Sequence, residues 1–365
     1  MGDVTVSACP ACGETVTPPG LFCEACGHDL SAPAVAVGQA SPPATCPGCG
    51  STKIDADRFC DECGRKAPSG RDHAQIDIGG MVGVSDRGLR HHRNEDAMAL
   101  AAIDTPSGPA AIAVVCDGVS SSDRPDEASL AGANAAARVL TAALRSGDDP
   151  ADASTAAITA AAQAVTDLGD PDRPAESTPA ATYVAAVIRG ETVTVCWAGD
   201  SRAYWLPADT GRPARQLTKD DSWAEELIAE GMSEAEAQAS PQAHQITRWL
   251  GADGRAQDPG VTSFEPPERG FILLCSDGLW NYRPDPAGLA ALTRPAARTD
   301  LLAAASALVK FALDAGGQDN ITVVLARFPW PPPDDATHEA TVPVTIPANI
   351  PAQPAKSGDP GSTPT

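Results

Sequence analysis

The sequence has no apolar run approaching the ~18 residues needed to cross a bilayer. Its first twenty residues hold Cys9 and Cys12 rather than the apolar core of a signal peptide. Neither a membrane partner nor export is therefore expected, and a cytoplasmic location is. Basic residues are also scarce: 26 Lys and Arg stand against 48 Asp and Glu, a formal net charge of -22 over 365 residues. Such a surface repels the phosphates of nucleic acid and of anionic lipid, so nucleic acid is not an expected partner. Most of the carboxylate excess reads as a solubility device, and only the Asp and Glu inside motifs carry information.

What the chain does have is cysteine, 11 residues in all, and a length sufficient for one catalytic domain with smaller appendages. In a reducing compartment, regularly spaced thiols point to metal ligation rather than to disulfides. Cys9, Cys12, Cys23 and Cys26 recur 37 positions later as Cys46, Cys49, Cys60 and Cys63, each set being two Cys-x-x-Cys pairs separated by ten residues. Four thiolates on two tight turns can surround Zn²⁺ tetrahedrally, and in so small a module the metal supplies the folding free energy, on the order of 10 kcal/mol. Two structural Zn²⁺ ions are expected. A redox dithiol needs one pair and not four, whereas a rubredoxin-type iron site would use the same ligands. Cys116, Cys196 and Cys275 each end an apolar run and read as small buried hydrophobes.

The repeat resembles the double zinc ribbons appended to regulatory proteins, which bind nucleic acid or protein. Asp3, Glu14 and Glu24 are unaccompanied by any Lys or Arg in the first copy, so a protein partner is the expectation. The anticipated organisation is ribbon 1 over 1–29, a linker over 30–44, ribbon 2 over 45–67, a hinge over 68–74, a large domain over 75–328, and a disordered Pro- and Thr-rich tail over 329–365.

Within the large domain, apolar runs predict strands over Ile76–Val84, Ala110–Cys116, Thr182–Ile188, Thr192–Ala198, Phe271–Cys275 and Ile321–Phe328. Helices are predicted over Glu127–Arg145, Asp152–Leu168, Ser222–Glu230 and Asp300–Ala315, and Ser233 with Glu236 has capping-box spacing. Acidic pairs punctuate these runs: Glu95-Asp96, Asp117-Gly118, Gly199-Asp200, Asp277-Gly278 and Asp319-Asn320. Singly each is a turn signal. Five converging on one sheet rim would repel by a few kcal/mol per pair at an effective dielectric of ~20, and hard cations such as Mg²⁺ or Mn²⁺ relieve that repulsion.

The segments RNEDA, VVCDGVSSS, GDSRAYWL, LTKDDSW, LLCSDGLW and GGQDNITVV are similar, in order and spacing, to those of the metal-dependent (PPM, type-2C) protein serine/threonine phosphatases, from roughly Ile78 to Phe328. The resemblance implies an α+β fold, a four-layer α-β-β-α sandwich of two antiparallel sheets flanked by helices. It implies that Asp117 bridges two Mg²⁺ or Mn²⁺ ions, with the Gly118 carbonyl, Asp277 and Asp319 as further ligands and Glu95 holding a bound water. Asp200 with Asp277 would hold a third ion, while Asp96 and Asn320 keep ligands and waters in place. It also implies hydrolysis of phosphoserine and phosphothreonine by a bridging water acidified by the metals, opposing a bacterial serine/threonine kinase in signal transduction. The alternative is a noncatalytic phosphatase-like scaffold or sensor that signals through its ribbons.

Two departures from the family pattern stand out. His91 occupies the usual place of a phosphate-gripping Arg, so phosphate is expected on Arg93 or on protonated His91, which share a face if the segment is extended. Ser120, Ser121 and Ser122 replace a glycine pair after Val119. A charged insertion from Lys219 to Trp249 falls where relatives carry a mobile flap, and its Trp223, Leu227, Ile228 spacing predicts a packed helix.

Overall fold

In the computed structural model of the chain, the described residues are 7–8, 15–16, 46, 51–53, 55, 59–64, 70–170, 178–254, 256, 258–331 and 344–345. The expected linker over 30–44 and most of both cysteine modules lie outside them. Of the first module, β1 (Ser7–Ala8) and β2 (Thr15–Val16) form a short antiparallel pair.

A 3-10 turn at Gly70–Asp72 leads into a hairpin of β3 (His73–Asp77) and β4 (Met81–Asp86). One strand was expected over Ile76–Val84. The chain instead reverses at Gly79, whose φ of 84° lies in the left-handed region that glycine tolerates. Next come β5 (Asp96–Thr105) and β6 (Gly108–Asp117), paired from Asp96 opposite Asp117 to Thr105 opposite Gly108. Helix α1 (Pro125–Ser146) starts on a proline, whose missing N–H costs nothing in the first turn, and stops at Gly147 with φ 94°. Helix α2 (Pro150–Thr166) is capped by Asp149, which accepts from the Ala151 N–H at 2.8 Å.

Strands β7 (Tyr183–Arg189), β8 (Thr192–Ala198), β9 (Arg202–Pro207) and β10 (Arg215–Gln216) follow. The insertion then contributes α3 (Trp223–Ala229) and α4 (Glu234–Gln238). The remainder is β11 (Gly260–Phe264), β12 (Gly270–Cys275), α5 (Asp277–Trp280), α6 (Pro286–Ala297), α7 (Leu301–Asp314), β13 (Ile321–Phe328) and β14 (Val344–Thr345).

The strands form two six-stranded antiparallel sheets, ordered β10-β9-β12-β13-β4-β3 and β11-β8-β7-β6-β5-β14. Their side chains alternate between two cores, as the two-residue period of a strand requires. On β5, Ala97, Ala99, Ala101 and Ile103 meet α1 and α2, whereas Met98, Leu100 and Ala102 enter the layer between the sheets. On β13, Ile321, Val323 and Leu325 meet α6 and α7, whereas Val324, Ala326 and Phe328 face the other sheet. The result is the α-β-β-α sandwich the sequence implied.

The packed body exceeds the expected bounds of 75–328 at both ends. Ala74 is buried, and Trp330, expected to begin a disordered tail, is 5% exposed in the inter-sheet core. The indole joins Trp205 and Phe328 in that layer, and its apolar burial offsets the cost of ordering the residue. Within the tail, Val344 and Thr345 pair with Leu100 and Ala99, and the remaining positions from 332 onward lie outside the described residues. The hinge expected over 68–74 is anchored from Gly70 by the 3-10 turn and by β3.

Candidate active site

The site gathers at one end of the sandwich, where strands of both sheets deliver acidic residues. Asp117 ends β6 directly opposite Asp96, which begins β5. The Asp117 N–H donates to Thr182 Oγ1 at 3.2 Å, and its carbonyl accepts from the Thr182 N–H at 2.7 Å. From the other sheet, Asp277 opens α5 directly after β12 and Ser276, and Asp319 immediately precedes Asn320 and β13. Asp200 lies in the turn between β8 and β9. The sequence-predicted carboxylates thus come together across both sheets.

Two glycines permit the close approach. A Cβ on Gly118 would collide with the Pro125 carbonyl and lie 2.7 Å from the Glu95 carbonyl, and one on Gly278 would collide with the Asn320 carbonyl. Each follows a rim aspartate, so backbone replaces side chain where the two sheets meet.

Burial and mutual charge raise the rim carboxyls. Burial first, then the charges of Asp96, Asp277, Asp319 and Asp200, push the Asp117 carboxyl well above the usual carboxylate range. Asp277 is raised likewise by burial and then by Asp200, Asp319 and Asp96. Asp96 is pushed up to about 7 by burial, against the lowering effect of the Thr322 and Ser276 hydroxyls. Asp200 is raised to about 7 by burial and by Asp220, opposed by Arg202.

Asp96 Oδ2 accepts from Ser276 Oγ at 2.8 Å, but its Oδ1 and the Oδ1 of Asp277 are buried with no hydrogen-bond partner. Unpartnered carboxyl oxygens among mutually repelling neighbours fit hard divalent cations, which would displace the retained protons. No three of these carboxylates bring ligand atoms within 4.8 Å of one another.

Asn320 staples the first acidic motif. Its Oδ1 accepts from the Glu95 N–H at 2.7 Å, and its Nδ2 donates to the carbonyls of Arg87 (2.7 Å) and Arg93 (3.1 Å). Glu95 is held at both oxygens, by Arg93 Nε at 3.0 Å and by Ser120 Oγ at 2.6 Å. Ser120, first of the serines in place of the glycine pair, therefore has a partner at the site.

The segment carrying His91 and Arg93 is not a strand. It bends, so that His91 Nε2 reaches Asp319 Oδ1 at 3.1 Å while Arg93 reaches Glu95 and, at 3.4 Å, Asp126 Oδ1. The Arg93 side chain is 54% exposed, so its guanidinium has surface to offer a ligand.

Sequence reasoning missed Ser276, Asn94, Thr182 and Asp126. Ser276 is buried, linking Asp96 to the Thr322 N–H, which donates to its Oγ at 2.9 Å. Its position beside Asp277 was the one available signal. Asp126, in the first turn of α1, had none, because its partner Arg93 lies far away in sequence.

The insertion borders the rim through a cavity of about 30 Å³ lined by Asp200, Arg202, Asp220, Gln238, His244 and Trp280. Arg202 forks onto Asp220 (2.9 and 2.6 Å) and lies 3.6 Å over the Trp280 ring. Ala224, Ala237 and Ala243 form the insertion's small core with Leu227 and Ile228 alongside, whereas Trp223, expected to pack there, is exposed.

In the second cysteine module, Cys46, Cys60 and Cys63 form the one set of three among the described residues whose ligand atoms all lie within 4.8 Å. Cys46 Sγ and Cys63 Sγ are 3.6 Å apart, too far for a disulfide, and three converging sulfurs are a donor set that suits Zn²⁺. Cys49 and the first module's Cys9, Cys12, Cys23 and Cys26 lie outside the described residues.

Comparison with known proteins agrees with this geometry. The double zinc ribbon family matches residues 9–64, and the protein phosphatase 2C family matches residues 87–311. The chain is 36% identical over 146 residues to the serine/threonine phosphatase stp of Listeria welshimeri, covering 40% of this chain and 55% of that one. It is equally similar over 146 residues to the serine/threonine protein phosphatase PstP of Mycobacterium tuberculosis, of which the match covers 27%. The alignments thus span about half the length, or less, of these curated relatives.

Among solved structures, Mycobacterium tuberculosis PstP superposes with a TM-score of 0.51 at 28% identity, covering 67% of this chain and 97% of that one. The Staphylococcus aureus phosphatase Stp1 shares the fold, with a TM-score of 0.56 at 22% identity over 69% of this chain and 96% of that one. With more than half of its residues matched in one stretch and the motif carboxylates meeting at one rim, the chain belongs to the protein phosphatase 2C family.

Proposed function

We propose that the chain is a metal-dependent phosphoprotein phosphatase that hydrolyses phosphoserine and phosphothreonine, opposing a serine/threonine kinase in a bacterial cytoplasm. The observation that carries this reading is the pair of buried, unpartnered oxygens, Asp96 Oδ1 and Asp277 Oδ1, within a rim of carboxylates raised by burial and mutual charge. Two such oxygens within one carboxylate rim are acceptors that a divalent cation would satisfy.

Asp117, the Gly118 carbonyl, Asp277, Asp319 and Glu95 would hold two Mg²⁺ or Mn²⁺ ions, and Asp200 with Asp277 a third. The mycobacterial PstP catalytic domain has been solved in complex with 2 manganese ions. When bound, such cations would supply charge neutralisation for the rim and the incoming phosphate and would lower the pKa of water held there.

The chain's own residues do the positioning. Arg93 presents its half-exposed guanidinium to the phosphate oxygens, where two parallel N–H donors give orientation as well as attraction. Asn320 holds the Arg93 carbonyl and the Glu95 N–H, so the backbone between the guanidinium and Glu95 is fixed. His91, against Asp319, lies on the same rim. The second cysteine module, holding Zn²⁺ through Cys46, Cys49, Cys60 and Cys63, and the first through its own four cysteines, would dock a protein partner.

Purified protein with Mn²⁺ is expected to release phosphate from p-nitrophenyl phosphate and from a phosphothreonine peptide. Asp117→Asn and Asp277→Asn should each lower kcat by at least about a hundredfold while leaving the circular dichroism spectrum unchanged. Full activity in either variant would remove that carboxylate from the metal set, and no activity in the unaltered protein would reject the assignment in favour of a noncatalytic scaffold.

A further inference from the structure

The 3-10 turn between the cysteine modules and the first sheet carries a side chain that reaches into the site. Arg71 lies outside residues 87–311, which match the phosphatase family, and seven positions beyond Gly64. Its Nη1 and Nη2 both donate to the Asp126 carbonyl at 3.0 Å, and Nη2 also donates to the Asp96 carbonyl at 3.2 Å. The Arg71 carbonyl accepts from Asn94 Nδ2 at 2.9 Å, and Asn94 Oδ1 accepts from the Asp96 N–H at 3.2 Å. The guanidinium therefore joins the first turn of α1 to the first residue of β5.

Asp126 stands between two arginines. Its Oδ2 lies 3.9 Å from Arg71 Nη1, and its Oδ1 lies 3.4 Å from Arg93 Nη1. Arg71 is the inner of the two, 18% exposed against 54% for Arg93. A carboxylate shared with a second, better buried cation attracts the outer one less strongly, because that second positive charge offsets part of its field. Arg93 is thereby located by Asp126 without being captured by it, and its outer edge stays available to a phosphate.

We propose that Arg71 is a positioning residue for the phosphatase reaction. By fixing and partly neutralising Asp126 it keeps Arg93 available to substrate phosphate, and it does so from the segment that immediately follows the cysteine modules. This rests on the reading given above.

Removing Arg71 should leave the whole Asp126 charge on Arg93, turn that guanidinium inward and weaken substrate binding more than turnover. With Mn²⁺ and a phosphothreonine peptide, Arg71→Ala in the full chain is expected to raise KM about tenfold with kcat within about twofold, and Arg71→Lys, which keeps the charge but loses the fork, to raise it less. In an Arg93→Ala background, Arg71→Ala should add nothing to KM, whereas a merely structural contribution would add its full effect.

An unchanged KM in Arg71→Ala overturns the proposal, as does an undiminished effect without Arg93. If Arg71→Ala does not fold, Arg71→Lys is judged by the same two readings. The unaltered protein separates the two hypotheses: its failure to hydrolyse the peptide sinks the phosphatase reading and this one together, whereas normal hydrolysis with KM indifferent to Arg71 sinks this one alone.

Discussion

Ser276 illustrates how a small residue at the site carries both structure and chemistry. Its hydroxyl gives its proton to Asp96 and takes one from the Thr322 N–H, while Thr322 Oγ1 lies 2.7 Å from Ser85 Oγ and Ser85 Oγ accepts from Asn94 at 2.8 Å. This buried polar rung ties three strands of one sheet to the start of β5 in the other. Ser276→Ala leaves Asp96 Oδ2 and the Thr322 N–H unsatisfied, which costs about 1–3 kcal/mol for a buried group. Urea denaturation should show that loss, and the Mn²⁺ concentration for half-maximal activity should rise as Asp96 loses its orientation. A midpoint within experimental error of the unaltered protein would show the rung to be dispensable.

At the scale of elements, the insertion is the weakest part of the described body. Its core consists of three alanines with two partly buried neighbours, against a continuous alanine, valine and leucine core beneath α1 and α2. Little apolar area is buried there, so amides over 223–245 should exchange with deuterium well before those of β6, β7 and β13. The Ser233–Glu236 capping box is present as the spacing predicted, and Ser233→Ala should speed exchange in α4 by about threefold to tenfold without moving the global unfolding midpoint. A shift in that midpoint would show the insertion to unfold together with the sandwich.

The elements that were legible in the sequence are those whose pattern matches one period. β8 and β13 coincide with their predicted spans, and α1, α2 and α7 are announced by Ala-rich helix-forming runs. β5 was not legible: its alanine-rich segment suits a helix as well as a strand, and only the two cores on its faces decide the matter. α6 was hidden by Pro286 and Pro295, the first tolerated at the helix start and the second inside it. At the site, the carboxylates were readable because turn-forming acidic dipeptides repeat, whereas Asp126 and Arg71 owe their place to tertiary contacts that no local pattern records.

For the whole molecule, the acidic rim links stability to pH and to metal. Asp96 and Asp200, both raised to about 7, hold in the fold protons that the unfolded chain would release near pH 4. The sign follows from linkage: this stability is fully present below the ordinary carboxylate range and is lost as pH rises through about 7. Metal-free protein should therefore show a falling Tm between pH 5 and pH 8. Mn²⁺ should raise Tm more at pH 8 than at pH 5, because the cation favours the ionised rim and binds only the folded state. A metal-induced rise of equal size at both values would contradict the electrostatic account of the site.

The 3-10 turn at Gly70–Asp72 also sets the length of a leash. Cys63 and Arg71 are eight positions apart, and a fully extended chain of that length spans at most about 28 Å. A protein seated on the second cysteine module would thus be tethered near the proposed site, at a local concentration on the order of millimolar. Recruitment at that module would bring a weakly recognised phosphorylated client to the rim as an intramolecular event, so selectivity need not reside in the groove where the bond is broken.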